Sequence, residues 1–270
     1  MPMKIFPPRL YLIISILVLA PLSQAAPKTT PPPFDPKAQA LWKKVCDHYR
    51  SLRSYSGLMR WTRGGDSLDS IEQLIAGGQT QVKAAGPKLF LVNRIDKGQF
   101  DQRYIDDGEN TYVNVFPEDV LSFPRDFIGQ DELWKFAHAS DFGLKELLQK
   151  RNPLQPYGSY VVSIVFGPER KKGESHIVVQ LKAPTARGQI DYFLGSQDLS
   201  LHSVRVHQVV DGKTLDNSEE HSNILFNPDI PASELEPDAE MKRLLEEGRA
   251  KQKPDPATPP TNTLTDNVAP

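Results

Sequence analysis

The residues able to do chemistry are few and scattered. The chain has six histidines and one cysteine. The histidines do not fall at metal-ligand spacing. His202 and His207 share one strand-like run but lie an odd number of positions apart, which points them to opposite faces. His176 and His221 sit near the ends of predicted strands, where a surface or structural role is expected. Asp106-Asp107 and Glu219-Glu220 pair two carboxylates, as general acid–base work would require. Their places in a turn and an exposed strand predict solvated charge instead. The sequence holds no Gly-Xaa-Ser-Xaa-Gly elbow, no His-Glu-Xaa-Xaa-His, no phosphate-binding loop and no Gly-Xaa-Gly-Xaa-Xaa-Gly turn. Cys46 lies at the edge of an apolar helical stripe and reads as a small buried hydrophobe. No catalytic residue, metal or cofactor is expected, and the chain reads as non-enzymatic.

What stands out instead is apolar content on both faces of several strands. Leu89-Phe90-Leu91-Val92 is one such run; Tyr160 to Phe166 and Ile177 to Leu181 are others. An antiparallel strand with one wet face should alternate. One face of these strands must therefore meet helices, and the other more protein or a guest. A filled core and a lined cavity fit this pattern equally.

The elements that must position these residues follow from periodicity. Asp35-Pro36 opens a helix, with Asp as cap and Pro at the first helical position. Ala38, Leu41, Trp42, Val45, Cys46, Tyr49 and Leu52 share one face of it. From Tyr55 the period changes to that of strands. Runs are expected at Tyr55–Arg63, Ser70–Ala76, Thr80–Ala84, Leu89–Asp96, Gln99–Ile105, Thr111–Phe116 and Val120–Phe123. Two short helices are predicted within Asp131–Lys150, ended by Asn152-Pro153. Strands resume at Tyr160–Phe166, His176–Leu181, Gln189–Leu194, Leu201–Val210 and Thr214–Ile224, followed by a charged helix at Ala239–Ala250. About ten strands in one open sheet would curl. The expected fold class is mainly β (α+β): a strongly curved antiparallel sheet or unclosed β-barrel, with helices packed in or over the opening.

The flanks read differently. Lys4 and Arg9 precede an apolar run from Leu10 to Ala20, then Pro21 and Ser23-Gln24-Ala25, the layout of a signal peptide cut after Ala25. The run is short for a spanning helix, which needs about 20 apolar residues, so an uncleaved anchor is the lesser alternative. No cysteine stands directly after the expected cleavage point, so the lipid-attachment signal of lipoproteins is lacking. The expected organisation is a signal peptide at 1–25, a Pro-rich leader at 26–33, a domain at 34–237, a charged helix at 238–253 and a polar tail at 254–270, destined for the periplasm. The single cysteine can form no intramolecular disulfide, so an exported domain must rest on its core. A formal net charge of -2 argues against nucleic-acid binding.

Four segments, in order, are similar to the LolA-like superfamily of periplasmic lipoprotein carriers and their relatives. They are Tyr49-Arg50-Ser51-Leu52-Arg53-Ser54-Tyr55-Ser56-Gly57; Gly86-Pro87-Lys88-Leu89-Phe90; the stretch Asp107-Gly108-Glu109 to Phe116-Pro117; and His221-Ser222-Asn223 to Ile230-Pro231. The resemblance implies an unclosed β-barrel with a helical lid over an apolar cavity that shields acyl chains. It also implies lid closure through an Arg whose place is taken by Gly86, and a Phe after the closing Pro whose place is taken by Leu235; both departures bear on strict carrier activity. The expected partners are lipid acyl chains or a lipoprotein, envelope proteins, and a membrane touched transiently. Candidate cavity-lining residues are Met59, Trp61, Leu89, Leu91, Tyr104, Tyr112 and Val113, with Leu133, Trp134 and Phe136 as the lid. The alternative is a non-enzymatic envelope sensor or protein-interaction module on the same fold.

Overall fold

The computed structural model describes residues 34–66, 76–96, 100–137 and 143–252. The expected signal peptide, leader and tail, and most of the predicted strand Ser70–Ala76, lie outside the described residues.

The first helix, α1, spans Pro36–Ser51. Asp35 Oδ1 accepts the amides of Lys37 and Ala38 at 2.7 and 3.3 Å, which satisfies donors that the first turn leaves free. Leu52 ends the helix in an extended conformation. Ala38, Trp42, Val45, Cys46 and Tyr49 form its buried face.

Among the described residues, eleven strands form one antiparallel sheet: β1 Ser54–Gly64, β2 Gly77–Ala85, β3 Lys88–Ile95, β4 Gln102–Asp106, β5 Asn110–Phe116, β6 Asp119–Pro124, β7 Val161–Phe166, β8 Glu174–Lys182, β9 Ala186–Gly195, β10 Leu201–Val210 and β11 Lys213–Phe226. Their spatial order is β6-β5-β4-β3-β2-β1-β11-β10-β9-β8-β7, with β6 and β7 as the two edges. The sheet is therefore open. It consists of two meanders joined at the centre by β1 against β11, with Met59 opposite His221 and Trp61 opposite Glu219. Helices α2, Gln130–Phe136, and α3, Leu144–Leu148, lie in the chain between β6 and β7. The last helix, α4, is Ala239–Gln252.

Cross-strand partners share a face, and the register assigns two. The inner face carries Tyr55, Met59, Trp61, Val82, Leu89, Leu91, Tyr104 and Val113 from one half. From the other it carries Ile177, Val179, Ile190, Tyr192, Val204 and Val206. All join one apolar cluster with Trp42, Val45 and Tyr49 of α1, Leu133 and Trp134 of α2, and Leu144 and Leu147 of α3. Trp42 packs on Tyr192 at 4.3 Å between ring centroids, and the Tyr49 hydroxyl accepts the amide of Leu201 at 3.0 Å. Gly78 leaves room for the neighbouring indole: a β-carbon there would sit 2.7 Å from both Trp61 and the Arg94 carbonyl.

The outer face has a smaller cluster. Met241 and Leu244 of α4 meet Ile105 and Val120, with Phe90 and Tyr112 packed alongside. The helix read from sequence as charged on most faces thus has one apolar stripe, seated on the back of β3 to β6.

Fully burying one Leu side chain is worth about 1.5–3 kcal/mol. Leu91, with no exposed surface, lies at the centre of the inner cluster, whereas Leu225 is 57 % exposed. Leu91→Ala is expected to cost about 2–5 kcal/mol and Leu225→Ala within about 0.5 kcal/mol, read from urea unfolding midpoints at unchanged slope.

Candidate functional site: an apolar sheet face under a helical lid

The inner face is where the sequence-predicted residues gather. Met59, Trp61, Leu89, Leu91, Tyr104 and Val113 lie on neighbouring strands and join the cluster that includes Leu133 and Trp134. Tyr112 does not join them. It packs with the outer cluster and donates its hydroxyl to Asp107 Oδ2 at 3.0 Å. Phe136 is the last residue of α2, and its side chain lies outside the described residues. Trp61, Trp134, Tyr104, Met59, Leu91 and Leu133 are among the largest fully buried side chains, so in this state the helices' own residues fill the space over the sheet.

The lid is tied down at its margins by polar contacts. Gln130 Nε2 donates to the Pro87 carbonyl at 2.7 Å, and Arg125 Nη2 donates to the same oxygen at 3.3 Å. Pro87 follows Gly86 in the two-residue turn between β2 and β3, where φ of +56° favours glycine. The resemblance implied closure through a side chain at the position of Gly86. Here the carbonyl of the next residue takes the contact. Arg125 also pairs with the fully buried Asp106, Nε to Oδ2, at 3.1 Å. Asp106, expected as solvated charge, is instead a buried anchor that accepts the Gly108 amide at 2.8 Å.

Within the lid, Asp131 on α2 receives both arms of Arg151 at 2.7 and 3.1 Å and Lys145 Nζ of α3 at 3.2 Å. Arg151 also reaches Glu146 at 2.7 Å. Partial burial would raise the Asp131 carboxyl, but Arg151 and Lys145 outweigh it and hold the group below the usual carboxylate range.

Two open clefts flank the lid. One, of about 670 Å³, lies beside α1 at the β7 edge, with Phe34, Trp42, Leu154, Val161 and Ile164 as its apolar walls and Lys43, Arg50 and Asn152 as polar lining. Its volume falls within the range of small-molecule sites, roughly 300–1,000 Å³. Asn152 Oδ1 accepts the Trp42 indole N–H at 3.1 Å and the Leu154 amide at 3.0 Å, fixing the chain where it leaves α3 for β7. Cys46 also lines this cleft, and burial pushes its thiol up to about 11, away from reactivity. The second cleft, of about 560 Å³, runs past Gly86, Arg125, Gln130 and Arg151.

The remaining polar candidates separate clearly. His176 Nε2 lies 2.7 Å from Asp191 Oδ1, and its ring stacks on Phe193 at 4.4 Å. His202 pairs with Glu174 and His207 with Asp216, at 3.1 and 2.6 Å. Among the described residues, three or more His, Cys, Asp or Glu nowhere assemble as a metal site. Glu219 and His221 overturn their expectation. Neither is solvated charge or a strand-end surface group: both lie within β11 at the sheet's centre, buried on the inner face. The only sequence signal was their spacing of two, which puts them on one face.

No protein-family model matches this sequence, and no curated protein matches it. Similar solved structures include the lipoprotein LppX of Mycobacterium tuberculosis, at 13% identity and a TM-score of 0.43, covering 73% of this chain and 99% of that one. LprF from Mycobacterium bovis is similar at 12% identity and a TM-score of 0.41, covering 73% and 96%. A LolA superfamily protein, NE2245 from Nitrosomonas europaea, is similar at 10% identity and a TM-score of 0.36, covering 74% and 98%. The open antiparallel sheet with helices across one face is itself the architecture that the LolA-like resemblance implied.

Asp131 gives the lid a pH dependence whose sign follows from its lowered carboxyl. Such a group stabilises above its unfolded value, about 3.9, and loses that contribution as pH falls through the lower folded value. The group is partly exposed, so about 1 kcal/mol or less is expected. The difference in urea midpoint between wild type and Asp131→Asn should be greatest at neutral pH and shrink progressively below about pH 4.

Proposed function

We propose that this protein is a non-enzymatic, carrier-like lipid-binding protein of the cell envelope, which takes acyl chains between the inner sheet face and the helices that cover it. The observation that carries this reading is the chemistry of the interface between sheet and lid. It is apolar in its interior, through Met59, Trp61, Leu89, Leu91, Tyr104 and Val113 below and Leu133 and Trp134 above. It is polar at its margin, through Gln130, Arg125 and the Asp131–Arg151 pair. Such a lid can lift without unpairing a strand. An acyl chain placed beneath it then replaces contacts the lid side chains made, at about 0.8 kcal/mol per buried methylene. The apolar cleft beside α1 is the way in, because it opens between that helix and the edge strand β7.

Export supports the same reading. A carrier of this kind is needed where acyl chains must cross water between membranes, and the signal-like start, Lys4 through Ala25, sends the chain there. None of the described helices is long and apolar enough to cross a membrane.

Protein recovered from the periplasm should carry lipid detectable by native mass spectrometry, and delipidated protein should take up a fluorescent fatty acid. Recovery of empty protein that takes up none would refute the reading. Gln130→Ala removes one lid contact worth about 1 kcal/mol, so uptake of the fluorescent chain should be roughly fivefold faster, measured by stopped flow. An unchanged rate would mean that the Gln130–Pro87 contact does not hold the lid against the guest.

A further inference from the structure

Glu219 and His221 are charged or polar groups set into a mostly apolar surface, which also buries Thr80 opposite Met59 and Asn93 opposite Thr80. Glu219 is 1 % exposed and its partners across the strands are Trp61 and Val204; His221 lies opposite Met59. The two side chains approach to 3.2 Å, Nε2 to Oε2, but out of line for a hydrogen bond. Neither carboxylate oxygen of Glu219 and neither ring nitrogen of His221 has a hydrogen-bond partner among the described residues. Trp134 of α2 is equally buried and its indole N–H is likewise unpartnered among the described residues. Gly143, which leads into α3, sits close over this spot: a β-carbon there would be 3.6 Å from Glu219 Oε2 and 2.7 Å from Val204. Burial raises the Tyr55 and Tyr192 hydroxyls well above their usual value, and Glu219 is one of the neighbours that add to the rise.

Burying an ionisable pair is costly unless hydrogen bonds complete it. Packed apolar residues of the same volume would hold this face more cheaply, so four unsatisfied atoms under a lid call for an explanation. Resting on the carrier reading above, we propose that Glu219 and His221 are the polar anchor of the guest, and that the guest is a neutral, hydroxyl-bearing lipid such as an acylglycerol rather than a free fatty acid. A carboxyl and an imidazole together present both a donor and an acceptor. A hydroxyl both donates and accepts, so one such group bridges the pair. An ionised fatty-acid headgroup only accepts, and it would meet the Glu219 carboxylate as a like charge in a dry site. The hydrocarbon then lies along Met59, Trp61 and Leu91, which the same face already presents.

The test is displacement of a prebound fluorescent acyl probe from full-length, delipidated protein by 1-oleoylglycerol, oleyl alcohol or oleate. The two hydroxyl lipids should bind at least tenfold more tightly than oleate. In Glu219→Leu/His221→Leu that preference should fall below about twofold, while the urea midpoint stays equal or rises, since an unsatisfied buried pair gives way to packed side chains. Should the double variant not fold, Glu219→Gln keeps the side-chain volume and should relieve the discrimination against oleate. Equal affinity for all three lipids in wild type, or a preference that survives both variants, overturns the inference and leaves the carrier reading standing. A double variant that loses stability but keeps the preference marks the pair as structural and also overturns it. Failure of every lipid to displace the probe, with no probe bound at the outset, defeats both.

Discussion

The order of strands in the sheet governs everything above it. The first meander runs outward from the centre and ends on β6, one edge; the second begins on β7, the opposite edge. Whatever connects them must cross a whole face of the sheet. That face is apolar, so the connection cannot be a bare loop with open backbone groups. It folds into short helices that satisfy their own amides and lay Leu133, Trp134, Leu144 and Leu147 onto the strands. The lid is therefore a consequence of topology and hydrophobicity together, and α1, entering before β1, covers what it leaves in the β7–β10 half.

This origin explains how the cover is held. The strands are locked by ladders of backbone hydrogen bonds, while the lid helices meet the sheet chiefly through side chains. The marginal contacts are worth about 1 kcal/mol each, less than the burial of one large apolar residue at about 1.5–3 kcal/mol. Most of what holds the cover down is thus contact that a hydrocarbon chain makes equally well. On the carrier reading proposed above, opening is costly to water and cheap to an oily guest, which is the energetic requirement for a carrier that stays shut when empty.

Much of this was legible in the sequence. All eleven described strands, the opening helix and both lid helices fall where periodicity and turn residues put them, because alternation and capping are local signals. Six of the seven residues expected beneath the lid share the inner face for the same reason: a period of two fixes sidedness once the strand is known. Tyr112 went to the wrong side because Thr111-Tyr112-Val113-Asn114 alternates less cleanly, and its aromatic ring serves the outer cluster. Glu219 and His221 were misread for a deeper reason. β11 is rich in Asp, Asn, Ser and Glu, and such a strand reads as an exposed edge. Its central place comes from pairing with β1, a contact between distant parts of the chain that no local pattern announces.

The strands apolar on both faces were the first hint of a guest, and the structure divides that hint in two. In β3, Leu89 and Leu91 face inward, while Phe90 turns outward to the cluster under α4. The segment leading to α4 is stitched along the back of the sheet by Lys83–Glu234, Lys88–Glu236 and Arg103–Asp238, at 2.5, 3.1 and 2.6 Å on three successive strands. These pairs are partly exposed and individually modest, but they ride on Met241 and Leu244, which are buried. The outer apolar residues of this half are thus spent on the protein's own C-terminal helix. That packing braces β2 to β6 from behind, on the side away from the lid. A sheet stiffened on its back can keep its register while the cover on its front moves, so the outer helix favours motion of the lid rather than of the strands when the inner face is opened.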